Sequence, residues 1–278
     1  MANLKIFPEK SEPNLTARIK LEKSKLSGDP LYEAILLRTT NRKPYKLSRI
    51  SEEEREALFK SAKEQEDNIT KAVFIENSDD IKKLGKASSV NEIAMFENEV
   101  LHKLLFEEIV WTREEEKERR KGLYFKTMEL KPPAFILKML SWWPFMNILN
   151  SFGVARAIAK DTMKMYSAAP MVCAILTGNG DEDFINAGRL MEHIWLQATL
   201  LGLSVHLMTG VIFLSQRLAS GEIKSFSKNH VKLIQQAYQT IESIVRADGK
   251  NIALLFRIGK SENPTATSIK MSPNIIFQ

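Results

Sequence analysis

Residues 171–210, MVCAILTGNGDEDFINAGRLMEHIWLQATLLGLSVHLMTG, hold the transition that decides the architecture. MVCAILTG (171–178) is apolar almost throughout, the pattern of a strand covered on both faces. Gly178-Asn179-Gly180 supplies a turn, and Asp181, Glu182 and Asp183 then put negative charge where a helix N-terminus favours it. Ala187, Leu190, Met191, Ile194, Ala198 and Leu201 recur at 3.6-residue spacing, so one face of this helix is apolar. Gly202 is a stop, and LSVHLM (203–208) reads as the next strand.

Working outward, a further helix is expected over about 228–244, and NIALLFRIG (251–259) reads as a last buried strand. Upstream, TKAVFIEN (70–77) reads as a strand, with Ser78-Asp79-Asp80 capping another helix and a long helical stretch from about Val90 to Trp111. Ser51 followed by Glu52, Glu53 and Glu54 starts a helix expected to reach about Glu66. In LYEAILLRTTNRKPY (31–45), Tyr32, Ile35 and Leu36 read as a short amphipathic helix that runs into an extended segment at Lys43-Pro44. Residues 1–29 are polar and carry Pro8, Pro13 and Gly28, the composition of an extended arm.

REEEKERRK (113–121) reads as a solvated charged face ended by Gly122. PPAFILKMLSWWPFMNILN (132–150) is the most apolar and aromatic stretch. It reads as a helical cap on the chain's own core or a cofactor pocket, because it lacks the basic face of a membrane-surface segment. No repeat of 20–50 residues is visible. The order is thus that of an α+β or α/β layered domain over 30–278, its sheet covered by helices, with a helical lid or insertion over 112–165.

Composition narrows the chemistry. The 278 residues carry 40 Lys+Arg against 34 Asp+Glu, a formal +6, with four His and one Cys. Cys173 has no disulfide partner, and one Cys with four scattered His excludes zinc ribbons, iron–sulfur proteins and Cys-rich secreted scaffolds. A reducing, cytoplasmic location fits. No apolar leader opens the sequence, and no stretch reaches the roughly 20 apolar residues of a membrane span. Residues 1–50 hold eleven Lys or Arg and five Asp or Glu, so the whole +6 lies there and the remainder balances. A folded body without a basic face argues against nucleic acid as partner.

Familiar catalytic signatures are absent: there is no GxxxxGK[ST], GxGxxG, HExxH or GxSxG. His193 shares a polar stripe with Asn186, Arg189 and Gln197 and reads as a surface or interface residue; His206 reads as a hydrogen-bonded core group. His102 and His230 stand alone, and no two His have metal-ligand spacing. Cys173 in an apolar strand reads as inert. The constellation that stands out is Arg38, Thr40 and Arg42: two guanidiniums flanking a hydroxyl at a helix end offer forked, charged donors to a phosphate. ENPTATSIK (262–270) adds Thr265, Thr267, Ser268 and Lys270, and a fold that joins the two segments makes a phosphomonoester site.

EAILLRTTNRKPY resembles the N-terminal flavin-phosphate motif of the nitroreductase family, an Arg-x-Ser-x-Arg/Lys pattern at a helix end. The resemblance extends through SAAPMVCAILTG, FINAGRLMEHIWLQATLLGLSVHLMTG and NIALLFRIGKSENPTATSIK, in the family's order, and is strongest to its divergent Acg-like branch. It covers residues 30–60 and 165–275. It implies a nitroreductase-like three-layer α+β fold whose central, mostly antiparallel sheet is covered by helices. It implies that Arg38, Thr40 and Arg42 grip the FMN phosphate with Lys270 and Ser268 assisting. It further implies that the Leu207-Met208-Thr209-Gly210 turn passes beside the isoalloxazine ring, and that two protomers build each pocket as a homodimer. The implied activity is an oxidoreductase passing electrons from NAD(P)H through flavin N5 to a small nitro- or quinone-type acceptor, with no catalytic side chain and no metal. The family's Pro-Ser-x-x-Asn-x-Gln-Pro-Trp loop is replaced by SAKEQEDNITKAVF, which keeps only Asn68 and has Thr70 at the Trp position. That departure leaves a flavin-sequestering or regulatory module with little turnover as the alternative.

Overall fold

The apolar run at 171–177 is an inner strand of a four-stranded sheet in the computed structural model, which describes residues 2–7, 9, 11–12, 15–21, 28–130, 133–222 and 226–270. Pro8 and Pro13 of the N-terminal arm, Pro132 at the start of the aromatic segment and positions 271–275 of the resemblance lie outside the described residues. In chain order the elements are β1 (Ala2–Ile6), β2 (Ala17–Leu21), α1 (Leu31–Leu37), α2 (Glu52–Lys63), β3 (Lys71–Ile75), α3 (Ser78–Ser88), α4 (Val90–Glu97), α5 (Glu99–Glu108), β4 (Ile109–Val110), α6 (Arg113–Arg119) and β5 (Leu123–Tyr124). A single 3-10 turn (Phe125–Met128) follows, then α7 (Ala134–Leu140), α8 (Trp143–Asn150), α9 (Val154–Ser167), β6 (Met171–Thr177), α10 (Asp181–Leu200), β7 (Ser204–Leu207), α11 (Gly210–Ala219), α12 (Lys228–Val245) and β8 (Asn251–Gly259).

The sheet order is β3-β6-β8-β7, and every pair is antiparallel. Alternation divides the side chains between two helical layers. Val172, Ala174, Leu176 and Leu255 meet α3, α11 and α12 through Ile81, Leu84, Val211, Ile212 and Ile241. Met171, Cys173, Ile175, Phe256 and Ile258 meet α2 and α10 through Leu58, Leu190 and Ile194. Because both faces are covered, all seven residues of β6 are buried, and burying each large aliphatic chain contributes about 1.5–3 kcal/mol. Register shifts at Ile175/Leu176, which pair with Leu254 and Ile252, so Ala253 is the extra residue of a bulge. This is a three-layer α+β fold with an antiparallel central sheet. Among the described residues, no helix is long and apolar enough to cross a membrane.

Local chemistry moves several expected boundaries. Ser51 caps α2 in a reciprocal box with Glu54, but the helix ends at Lys63. The cap of α3 is Asn77, whose Oδ1 accepts the N–H groups of Asp79 and Asp80, both at 3.0 Å, so Ser78 is already helical. The stretch from Val90 to Trp111 is two helices and a short strand: extended Asn98 ends α4 and caps α5 by accepting the Leu101 N–H at 3.0 Å. On α1, Leu31 and Ala34 face inward while Tyr32, Ile35 and Leu36 are exposed, the reverse of the expected face. The 113–121 run is not wholly a solvated face, since Glu116 is buried. Over 134–150, Leu137 and Met146 are buried, whereas Phe135, Met139, Trp142 and Ile148 stay exposed.

Candidate functional site

The segment after α1 is built into the sheet edge. Arg38 leaves the helix in extended conformation, Thr40 bridges Val205 in parallel, and the Asn41 N–H donates to the Val205 carbonyl at 3.0 Å. Buried Asn41 fixes the segment further: its Nδ2 donates to Ser204 Oγ at 2.9 Å and to the Glu262 carbonyl at 2.8 Å, and its Oδ1 accepts the Lys43 N–H at 3.1 Å. The Tyr45 hydroxyl donates back to the Asn41 carbonyl at 3.1 Å. An Asn between two Arg in a loop was a signal available in the sequence for this tie, but only β7 shows what it holds.

Two guanidiniums lie beside this segment, Arg42 half-buried and Arg257 in the interior. Arg42 donates from Nη1 to the Thr127 carbonyl at 3.1 Å, and burial pulls its pKa down against the opposing pull of Tyr166, Glu129 and Tyr45. Arg257 of β8 is fully buried: Nε donates to His206 Nδ1 at 3.2 Å, Nη1 to the Met165 carbonyl at 2.7 Å and Nη2 to the Lys43 carbonyl at 2.9 Å. Its guanidinium lies 3.9 Å from the Tyr45 ring centre. Burial, then Arg257 and Arg42, hold His206 well below the ordinary imidazole range, so it is a neutral core acceptor. Among the described residues, no carboxylate forms an ion pair with Arg42 or Arg257. Arg38 is engaged differently. Its Nε sits 2.9 Å from Glu192 Oε1 without an aligned hydrogen bond, and its guanidinium lies 4.3 Å from the Trp195 ring centre.

The C-terminal segment crosses this ground as a strap. Ser261 donates to the Pro44 carbonyl at 2.9 Å, the Thr265 N–H and hydroxyl reach Glu129, the Thr267 carbonyl accepts from Arg113 at 3.0 Å, and the Ile269 N–H donates to Glu116 at 2.9 Å. Lys270 Nζ then donates to the carbonyls of Ile35 at 2.5 Å and Leu36 at 2.7 Å, which closes the last turn of α1. The strap thus joins the two segments that the sequence singled out. Lys270 is close enough to Arg38 and Glu192 for both to act on its pKa, which desolvation pulls down. Ser268 and Lys270 also line a cavity with residues of the α6 turn.

The turn at 207–210 closes β7 and opens α11. Met208 is buried and donates its N–H to the Leu255 carbonyl at 2.7 Å, and Thr209 is buried without capping α11 by its side chain. At Gly210 a Cβ would collide with the Asn91 carboxamide of α4, so the close neighbour of this glycine is a side chain of the chain itself. Asn91 donates to Glu92 at 3.4 Å, and burial pushes the Glu92 carboxyl up to about 7.

The remaining candidates serve packing. Buried Thr70 shares a hydrogen bond with Thr177 at 2.9 Å. His193 is half-buried against α2, its Nδ1 2.9 Å from Ser61 Oγ. His102 sits in an aromatic box with Phe96, Phe106 and Trp143, and His230 faces Glu97 at 3.3 Å. Burial raises the Cys173 thiol pKa well above its ordinary value. Among the described residues, no three His, Cys, Asp or Glu side chains are grouped to hold a metal.

No protein-family model matches the chain. No curated protein matches it in sequence. Solved structures that match it include nitroreductases with bound FMN and a nitroreductase-like family protein. A nitroreductase with bound FMN from Bacteroides fragilis is 10% identical with TM-score 0.48, over 90% of this chain and 99% of that one. An iodotyrosine deiodinase bound to FMN and 3-iodo-L-tyrosine is 11% identical with TM-score 0.48, over 89% and 98%. An FMN-dependent nitroreductase from Clostridium difficile is 12% identical with TM-score 0.47, over 91% and 100%.

Proposed function

We propose that the chain is a cytoplasmic FMN-binding oxidoreductase that takes electrons from NAD(P)H and gives them to a small nitro- or quinone-type acceptor. The observation that carries the reading is the concentration of cations around one strapped segment: Arg38, Arg42 and Lys270, with Arg257 behind them, while among the described residues no carboxylate forms an ion pair with Arg42 or Arg257. Buried positive charge without a partner is costly, and an anionic group at this edge would compensate it. The donor set suits a phosphomonoester, with forked guanidiniums from Arg38 and Arg42, the Thr40 hydroxyl, and Lys270 and Ser268 from the strap. Leu207, Met208, Thr209 and Gly210 would lie beside the ring, where the uncapped first turn of α11 offers N–H donors.

Bound FMN would supply the redox chemistry at its N5, so the chain needs no catalytic acid, base or nucleophile of its own. Its work is to hold the phosphate and orient the ring. The exposed apolar residues Tyr32, Leu36 and Leu37 of one short helix, with Leu47, support a homodimer, because clustered exposed apolar side chains can mark an interface. The alternative, a flavin-sequestering or regulatory module with little turnover, is favoured by one observation: the Asn91 carboxamide fills the space facing Gly210, leaving less room for a ring there.

The test is reconstitution with FMN followed by rapid mixing with NADPH and NADH. The oxidoreductase reading expects a yellow 1:1 complex that bleaches on mixing, and retention that Arg38→Ala with Arg42→Ala abolishes. A complex that does not bleach with either donor selects the alternative. No flavin uptake refutes both.

A further inference from the structure

We propose that the α6 turn, through Lys117, Arg120 and Lys121 on the cavity it shares with the C-terminal strap, binds a diphosphate group; the strap residues Ser268 and Lys270, which the proposed flavin phosphate grip uses, are not among its donors. The cavity, of about 320 Å³, is lined by Glu116, Lys117, Arg120, Lys121, Gly122 and the strap residues 268–270. None of Arg38, Thr40 and Arg42 lines it. Three cations, Lys117, Arg120 and Lys121, therefore face one carboxylate, since the Lys270 ammonium is held by the Ile35 and Leu36 carbonyls, and that carboxylate is already engaged. Arg113 lies 2.5 Å from Glu116 Oε2, and the Ile269 N–H donates to Oε1. Among the described residues Lys117, Arg120 and Lys121 have no ion-pair partner and all three are exposed, so no ion pair has to break for an anion to bind them. The planar guanidinium of Arg120 with the ammonium groups of Lys117 and Lys121 forms a donor set that recognises phosphoryl oxygens.

The backbone supports the same assignment. Arg120 ends α6 at φ 51°, the left-handed position where glycine or asparagine is the easy residue. A long cationic side chain there costs conformational energy, and its place at the cavity rim gives that cost a use. Two residues on, Gly122 has φ 97°, and a Cβ would strike the Glu108 carbonyl at 2.6 Å, so the backbone of the turn sits tightly against the junction of α5 and β4. A diphosphate matches the charge of the cluster better than a single phosphate does.

Calorimetric titration of the full chain with inorganic pyrophosphate, with and without loaded FMN, tests the site. One saturating equivalent is expected at 0.15 M salt, with inorganic phosphate at least tenfold weaker and pyrophosphate affinity unchanged by FMN. Lys117→Gln, Arg120→Gln and Lys121→Gln together should weaken pyrophosphate at least tenfold. Arg120→Gly should melt no lower than the parent, because glycine suits its backbone, and still bind pyrophosphate several-fold more weakly. The proposal is overturned by a lack of saturation, by a triple variant within twofold of the parent, or by loss of pyrophosphate binding on FMN loading, which would make the cavity part of the flavin site. A chain that takes up no FMN leaves the titration of the free protein to decide the matter independently.

Discussion

Replacing Arg257 by Met tests whether the interior guanidinium holds the 38–45 segment in place. Three acceptors lose their donor: the Lys43 carbonyl, the Met165 carbonyl and His206 Nδ1. Each buried polar group left unsatisfied costs about 1–3 kcal/mol, so the gross loss is roughly 3–9 kcal/mol. Methionine keeps most of the apolar stem between Tyr45 and Tyr166 and removes a buried charge whose desolvation costs several kcal/mol. The net loss expected is about 2–4 kcal/mol, which lowers the melting temperature by roughly 5–10 °C for a chain of this size. Arg257→Lys keeps the charge but lacks the fork that reaches three acceptors, and should recover less than half of the loss. Urea midpoints of parent, Met and Lys variants at pH 7.5 measure both effects. A Met variant within 0.5 kcal/mol of the parent would refute the idea that this residue organises the segment.

Other perturbations read the polar interior. The Glu92 carboxyl is protonated in the fold up to about 7 and ionises near its ordinary value of 4.5 when unfolded, so its contribution is full below 4.5 and is lost as pH rises to 7. Glu92→Gln should therefore stabilise by about 3 kcal/mol at pH 8 and by little at pH 4.5, and equal gains at both values would contradict this. His206 has the opposite sign: it stays neutral in the fold, so stability falls as pH drops through the ordinary imidazole value. On the Glu92→Gln background that fall should be about 1–2 kcal/mol between pH 7 and pH 5, and His206→Gln should flatten it. Gly210→Ala must displace the Asn91 carboxamide and should cost about 1–2 kcal/mol, with most of it recovered by adding Asn91→Ala. A double variant no more stable than Gly210→Ala alone would place the strain elsewhere.

The framework of strands was legible because burial on both faces leaves a simple trace. MVCAILT and NIALLF needed no knowledge of partners to read as strands, and α10 declared itself by an apolar stripe over 20 residues. Helix breaks were less legible. Asn98 stops one helix and starts the next through one hydrogen bond, and its neighbours are good helix formers on both sides. Helix α1 is too short for periodicity to decide its inner face, and docking on α10 buries Leu31 and Ala34 instead of the larger residues. The Arg38, Thr40 and Arg42 pattern stood out locally, yet its support depends on Asn41 and Arg257, whose partners lie far away in sequence. A charged residue inside the otherwise apolar NIALLFRIG was a visible sign of such a role. Nothing local revealed that Glu116 would be buried under the strap.

The strap carries a kinetic consequence. Asn41 meets the Glu262 carbonyl across 221 positions of chain, and Lys270 meets Ile35 across 235. Contacts of such separation close large loops, so their entropic cost is recovered only after the sheet and α10 have brought the ends near each other. The cationic edge is therefore expected to assemble at the end of folding, after the hydrophobic layers. In refolding experiments the ability to retain an anionic ligand should lag behind the recovery of helical signal, and that delay would time the closing of the strap.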